Sequence, residues 1–221
     1  GSLRDEGAEN GKANGQKRPG VEVVIGSSRL MAENPGLVER LSELINAAYE
    51  ESVRDNPARR GQHKSVSPEE VYGRLSIGDY GTRNNRVLHV AFQGKKAVGC
   101  ISSSFLTPWT PAGVGHWGLL AVDMAVQGKG VASALVASAM GRLAQQCDEA
   151  HIEYFHTSNH KYSERLKAWY EGKLGFHTVS ANPAGPATTF RVSRRDFAPE
   201  ERAAGRRARL RELREEASAE L

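Results

Sequence analysis

The stretch Leu120-Ala121-Val122-Asp-Met-Ala-Val-Gln127-Gly128-Lys129-Gly130-Val131-Ala132-Ser133 constrains the fold more than any other part of the chain. An apolar run ends, two glycines follow at a fixed offset, and an alanine-rich segment of helical character begins at once. The order predicts a strand, a loop of clustered backbone N–H groups and a helix N-terminus. Free N–H groups there point outward, and the helix dipole adds about half a positive charge, a combination suited to phosphate oxygens. Gly128 and Gly130 allow the close backbone approach that a Cβ would block.

Two common phosphate loops fit poorly. A nucleoside-triphosphate loop requires Ser or Thr after Gly-Lys, and Gly130 stands there. A dinucleotide loop requires a third glycine where Ser133 stands, and no acidic ribose partner is evident downstream. Gln127, Gly130 and Ala132 instead match the pattern Gln/Arg-x-x-Gly-x-Gly/Ala. With Leu120-Ala121-Val122 before it and an amphipathic helix after it, the segment resembles the pyrophosphate-binding motif of the GNAT N-acetyltransferase superfamily. The resemblance implies acetyl-CoA as cosubstrate, held by Leu120, Ala121, Val122 and by Gln127, Gly128, Lys129, Gly130, Val131, Ala132 and Ser133.

The rest of the chain is compatible with one such domain. Its 221 residues with 39% hydrophobic content suffice for one core. Cys100 and Cys147 are the only cysteines, which gives neither a disulfide framework nor a zinc pattern. A reducing interior compartment, the cytoplasm, is the expectation. No stretch approaches the roughly 20 apolar residues of a membrane-spanning helix. A net charge of +4 suits an anionic cosubstrate but alone does not argue for nucleic acid.

Residues 1–19 have almost no apolar side chains and are expected to be a disordered tail. Val21–Ile25 reads as a strand. A helix is expected from Asn34 to about Ser52, then a basic loop over 53–66, with Pro68 opening a further helix. Strands over 86–92 and 97–103 form a hairpin. A strand over 116–122 is followed by a helix over 131–146, a strand over 150–156, a helix over about 163–170, and strands over 175–179 and 187–192. Residues 196–221 form a charged helix of mixed sign, most simply a solvated extension. This order is that of the GNAT fold, an α/β (α+β) mixed twisted sheet flanked by helices, and the acetyltransferase domain is placed at residues 20–195. Trp169-Tyr170-Glu-Gly172-Lys-Leu-Gly-Phe176 resembles the family's Tyr-Glu-Lys-Leu-Gly-Phe, with Gly172 as one extra residue expected to bulge the helix end.

Acetyl transfer to an amine requires a group that takes the amine's proton and benefits from one that protonates the leaving thiolate. His116, six residues before Val122, is the candidate base. Imidazole has a pKa of about 6.5, and the resemblance places a base at this strand position. Tyr170 is the candidate acid by the same resemblance. Ser163 stands where the family carries an asparagine, either bonding the pantetheine arm or capping its helix. His151, His156 and His160 do not form a metal site, because strand alternation sends His151 and His156 to opposite faces. Arg59, Arg60 and Lys64 either attract an acidic acceptor or the CoA 3′-phosphate, or are a solvated loop. Nothing near Cys147 in sequence would activate it as an acetyl carrier.

The resemblance implies an N-acetyltransferase in which a primary amine attacks acetyl-CoA directly in a ternary complex. The acceptor, a small amine or a protein lysine or N-terminus, stays open, as does the oligomeric state. His116 and the aromatic loop at Trp109 lean toward a small amine. The alternative is a non-catalytic acyl-CoA-binding sensor on the same fold, which Gly172 and Ser163 would favour.

Overall fold

The structure is a computed structural model and describes residues 20–54, 56, 59 and 65–219. The expected tail at 1–19, together with Arg60 and Lys64, lies outside the described residues. Strands β1 (Val21–Ile25), β2 (Arg86–Gln93), β3 (Lys96–Phe105), β4 (Val114–Val122), β5 (Glu149–Thr157), β6 (His177–Gly185) and β7 (Thr188–Asp196) form one sheet. Their order is β1-β2-β3-β4-β5-β7-β6. Every neighbouring pair is antiparallel except β4 and β5, which run parallel.

Helices α1 (Ser28–Glu33), α2 (Leu37–Val53) and α3 (Pro68–Ser76) precede the hairpin. Helix α4 (Val131–Leu143) joins β4 to β5, α5 (Lys161–Ala168) follows β5, and α6 (Pro199–Ala219) closes the described chain. The two faces of the sheet carry separate cores. On one, Leu41, Ile45, Val71 and Leu75 of α2 and α3 pack on Leu88, Val90 and Cys100. On the other, Leu135, Ala139 and Leu143 of α4 pack on Val98, Ile101 and Trp117, with Tyr154, Tyr170 and Phe176 alongside. Alternation along each strand sends successive side chains to opposite cores.

Some expectations need correction. Asn34 does not open the long helix. It ends the short α1, which Ser27 caps by accepting from the N–H of Leu30 at 3.0 Å, and α2 begins after Gly36, whose φ is +79°. The C-terminal helix is mostly solvated but also docked. Gly205 is buried against the Ala144 carbonyl, so close that a Cβ there would lie 2.7 Å from its carbon and oxygen. Arg202 donates to Asp148 at 2.7 Å beside this contact.

His89 on β2 is wholly buried between the hydroxyls of Ser138 and Ser103, each 2.8 Å from a ring nitrogen. Burial first, and the Arg142 guanidinium second, push its pKa down to about 3. The unfolded chain takes up this proton below about pH 6.5 and the folded chain does not. Stability from His89 is therefore intact above about pH 6.5 and is lost as pH falls toward 3. Urea unfolding of wild type and His89→Gln at pH 7, 6 and 5 is expected to show the wild type losing more, by up to about 1.4 kcal/mol per pH unit.

Candidate active site

The loop after β4 is built as a cradle. A single turn, Met124–Val126, leads into Gln127, Gly128, Lys129 and Gly130, all exposed. Gly128 and Gly130 have φ of +76° and +88°, the left-handed region that glycine enters freely. A Cβ built on either would meet no protein atom within 4 Å, so their open side faces space. Gly130 caps α4 without a side-chain hydrogen bond. Intrahelical bonding starts with the N–H of Ala134 donating to Gly130 O at 3.0 Å. The N–H groups of Val131, Ala132 and Ser133 therefore lack intrahelical acceptors. Lys129 turns back on the loop, its ammonium donating to Ala125 O at 2.9 Å.

Asp123, which sequence reasoning missed, anchors this cradle. Its carboxylate accepts from Ala125 N at 3.0 Å, pairs with Lys96 at 2.9 Å, and is bound by the Arg40 guanidinium. The Lys96 hydrogen bond leads in holding its pKa below the usual carboxylate range. Arg40 is 83 residues away on α2, so no local pattern announces the contact.

Strand β4 reaches the cradle by parting from β5. The two pair only where Val114, Gly115 and His116 face Glu149, Ala150 and His151. Beyond His116 the β5-side edge of β4 has no strand partner among the described residues. Near this opening the register against β3 slips, so that Leu119 and Leu120 face Ile101 alone, and Leu119 takes φ +52°. A leucine held there stores strain, which gathers at functional sites. The side chains of Leu120, Ala121 and Val122 pack into the two cores, so only their backbone is available to a ligand. Trp117 Nε1 and Tyr154 Oη, on the two parting strands, are buried without hydrogen-bond partners among the described residues. Orphaned donors at a fork whose edge N–H and C=O groups are free fit an amide-bearing pantetheine arm, and the cradle fits its pyrophosphate.

His116 sits at the fork. It faces the α2 and α3 side, half-buried, with Ser104 on one flank and His151 on the other. Gly118 leaves room for its ring: a Cβ there would lie 3.2 Å from His116 Cε1. Burial leads in pushing the His116 pKa below its ordinary value, Glu153 opposes this, and His151 and Arg86 add to it. The imidazole is therefore neutral at pH 7 and able to accept a proton.

The extra Gly172 is absorbed by a π turn over Trp169–Lys173, where Leu174 N donates to Trp169 O at 3.1 Å. A π turn is how a helix takes in one added residue. Tyr170 stays in the core, its ring 4.9 Å from that of Tyr154 and 5.9 Å from that of Trp117. Burial raises its pKa well above the ordinary phenol value, with Tyr162, Tyr49 and Tyr154 adding to the effect. Its hydroxyl is protonated throughout the physiological range.

Ser163 is buried in the first turn of α5 but does not cap it. That role falls to His160, whose Nδ1 accepts from the N–H of Ser163 at 3.4 Å. The three histidines are separately engaged: His151 with Glu149, His156 with Glu164, and His160 with the Arg54 carbonyl. Cys147 is buried, which pushes its thiol up to about 11. A cavity of about 1000 Å³ between α4 and α6 is lined by Val136, Met140 and Arg142 and reaches Ser133 at the start of α4. Among the described residues no helix is long and apolar enough to cross a membrane.

Solved structures share this architecture. PaiA N-acetyltransferase from Thermoplasma acidophilum, in complex with coenzyme A, is 12% identical with a TM-score of 0.59, over 80% of this chain and 99% of that one. An aminoglycoside 6′-N-acetyltransferase complexed with coenzyme A is 16% identical with a TM-score of 0.56, over 80% and 98%. An acetyltransferase from Thermus thermophilus is 17% identical with a TM-score of 0.55, over 80% and 97%. At these identities the likeness concerns the fold. No curated protein matches the chain. The model of the acetyltransferase (GNAT) family matches residues 39–176, more than half of the sequence, and the chain belongs to that family.

Proposed function

We propose that this protein is an acetyl-CoA-dependent N-acetyltransferase in which a bound primary amine attacks the thioester directly within a ternary complex. The observation that carries the reading is the junction of the cradle at Gly128–Ser133 with the β4–β5 fork, where His116 stands. Acetyl-CoA supplies an activated acetyl group on a thiol leaving group. The N–H groups of Gly130 to Ser133 hold its phosphates through hydrogen bonds and the helix dipole. The free edge of β4 holds the arm and offers N–H donors to charge developing on the acetyl oxygen. Neutral His116 takes the proton that the amine must lose, directly or through water. Tyr170 gives its phenolic proton to the departing sulfur and recovers one from solvent.

Thiol release from acetyl-CoA, followed against a panel of amines, tests this. Amine-dependent release with an acetylated product supports it, and CoA binding without turnover of any amine supports the non-catalytic sensor. The π turn weakens the case for that sensor, since the insertion leaves Tyr170 beside Trp117 and Tyr154.

Tyr170→Phe is expected to slow transfer by roughly 10²-fold or more while sparing the fold and CoA affinity, because the ring packing stays and only the donor goes. Measured with an acetyl donor of lower thiol pKa, the defect is expected to shrink. An equal defect with both donors would assign Tyr170 to positioning.

A further inference from the structure

The cavity between α4 and α6 carries charges of both signs on facing walls. Arg142, in the last turn of α4, and Glu212 of α6 both line it. The Arg142 guanidinium is held from behind. It donates to Asn84 O at 2.6 Å and to Ser103 Oγ at 3.3 Å, and its carbon lies 4.9 Å from the centroid of the Phe105 ring. Ser103 is wholly buried and accepts from Arg142, so its own proton goes to His89 Nε2, and the other ring nitrogen of His89 donates to Ser138. Two of the five N–H groups of Arg142 are thus engaged, and the other three have no acceptor among the described residues. Glu212 stands about one helical turn away. It accepts from Gln145 Nε2 at 3.3 Å, and Gln145 lies three residues beyond Arg142 on the same face of α4. Among the described residues neither Arg142 nor Glu212 has an opposite charge within the 4.0 Å of an ion pair. Burial pushes the Arg142 pKa down to about 10, and Cys147 and then Glu212 oppose this, so the guanidinium is charged at pH 7. Between the two charges the wall is apolar, with Val136 and Met140 on α4, while the small Ala204 and Ala208 on α6 leave room.

We propose that this cavity binds an apolar α-amino acid as a zwitterion, its carboxylate on Arg142, its ammonium toward Glu212 and its side chain on Val136 and Met140. Arg142 and Glu212 are too far apart to pair and too close to be independent. A lone anion would suit Arg142 but face Glu212 and Glu215, and a lone cation would suit the glutamates but face Arg142. A ligand with both charges on neighbouring atoms fills the gap and satisfies both walls through charge-assisted hydrogen bonds, fork-shaped at the guanidinium. Half-buried Arg142 is already held by Asn84 and Ser103, so little freedom is lost when the carboxylate arrives. An apolar wall with a few convergent polar groups is the usual make-up of a small-molecule site. Arg142 lies about 13 Å along α4 from Ser133, so the site is distinct from the phosphate cradle although both use one helix. Binding there is independent of acetyl transfer.

Calorimetric titration of the full chain, without acetyl-CoA, tests this with leucine, leucinamide and 4-methylpentanoate, which share one apolar body and differ in charge. Leucine is expected to bind saturably, and each singly charged analogue at least about tenfold more weakly, as for the loss of one charge-assisted contact. Glu212→Gln is expected to weaken leucine about tenfold and to erase its advantage over 4-methylpentanoate. Arg142→Gln is expected to erase its advantage over leucinamide. Glu212 is exposed, so its variant tests the site without risk to the fold that removal of Arg142 carries. Ala208→Trp, which fills the cavity from α6, is expected to abolish binding of all three. In nitrogen-labelled protein, leucine is expected to shift the amide signals of Val136 to Leu143 and to spare Gly128 and Gly130. Leucine binding no tighter than either analogue overturns the proposal, as does leucine affinity unchanged in Glu212→Gln. Shifts confined to the β4–β5 fork would make leucine a ligand of that site and also overturn it. So does the absence of saturable binding for leucine, methionine and phenylalanine alike.

Discussion

Gly130→Asp is expected to abolish acetyl-CoA binding in calorimetric titration while the protein stays folded. Two effects act together. The backbone at Gly130 has φ +88°, a conformation that aspartate adopts only with strain. Its Cβ would also project into the open side of the cradle, where no protein atom lies within 4 Å, and carry a carboxylate to where phosphate oxygens must approach. Loss of the phosphate contacts and repulsion of the anion both oppose binding, so affinity is expected to fall by roughly a hundredfold or more, in line with losing several charge-assisted hydrogen bonds. Gly130→Ala separates the two effects. It keeps the strain without the charge and is expected to bind at intermediate strength. Unchanged affinity in the aspartate variant would remove the phosphate-loop assignment.

His116→Ala is expected to lower kcat/KM by roughly 10²–10⁴-fold, the range for losing a general base, with CoA affinity nearly unchanged. The pH dependence supplies the sign. Burial depresses the His116 pKa, so the neutral, proton-accepting form persists below the ordinary histidine value. Activity in the wild type is therefore expected to hold through pH 7 and fall as pH drops through that depressed value. In His116→Ala the acidic limb is expected to flatten, because no imidazole remains to be switched off. A mutant with wild-type rate and profile would place the base elsewhere, or give the amine's proton to solvent.

What the sequence revealed was what local chemistry dictates. The apolar run Val21–Ile25, the hairpin of β2 and β3, and the glycine loop before α4 all declare themselves within a few residues. What escaped depends on contacts distant in sequence or on backbone that side chains do not encode. Leu119 adopts φ +52° because β3 and β4 slip register there, and leucine gives no such signal. Helix α1 has six residues and none buried, so no apolar stripe marks it. β6 runs on through Pro183 to Gly185 because it is an edge strand, where a missing N–H can face solvent. Arg40, far away on α2, meets Asp123 only once the sheet forms. The same holds for the site. Gly128 and Gly130 were readable from spacing, whereas the three-residue pairing that opens the β4–β5 fork exists only in three dimensions.

The most direct measurement is a titration of acetyl-CoA into nitrogen-labelled protein, followed through the backbone amide signals. Saturable shifts are expected at Gly128, Gly130, Val131, Ala132 and Ser133, and along the free edge of β4 from Trp117 to Val122, with α6 and β6 unmoved. Binding that leaves the glycine loop untouched, or that perturbs the cavity between α4 and α6 instead, would contradict the assignment of this loop and fork as the acetyl-CoA site.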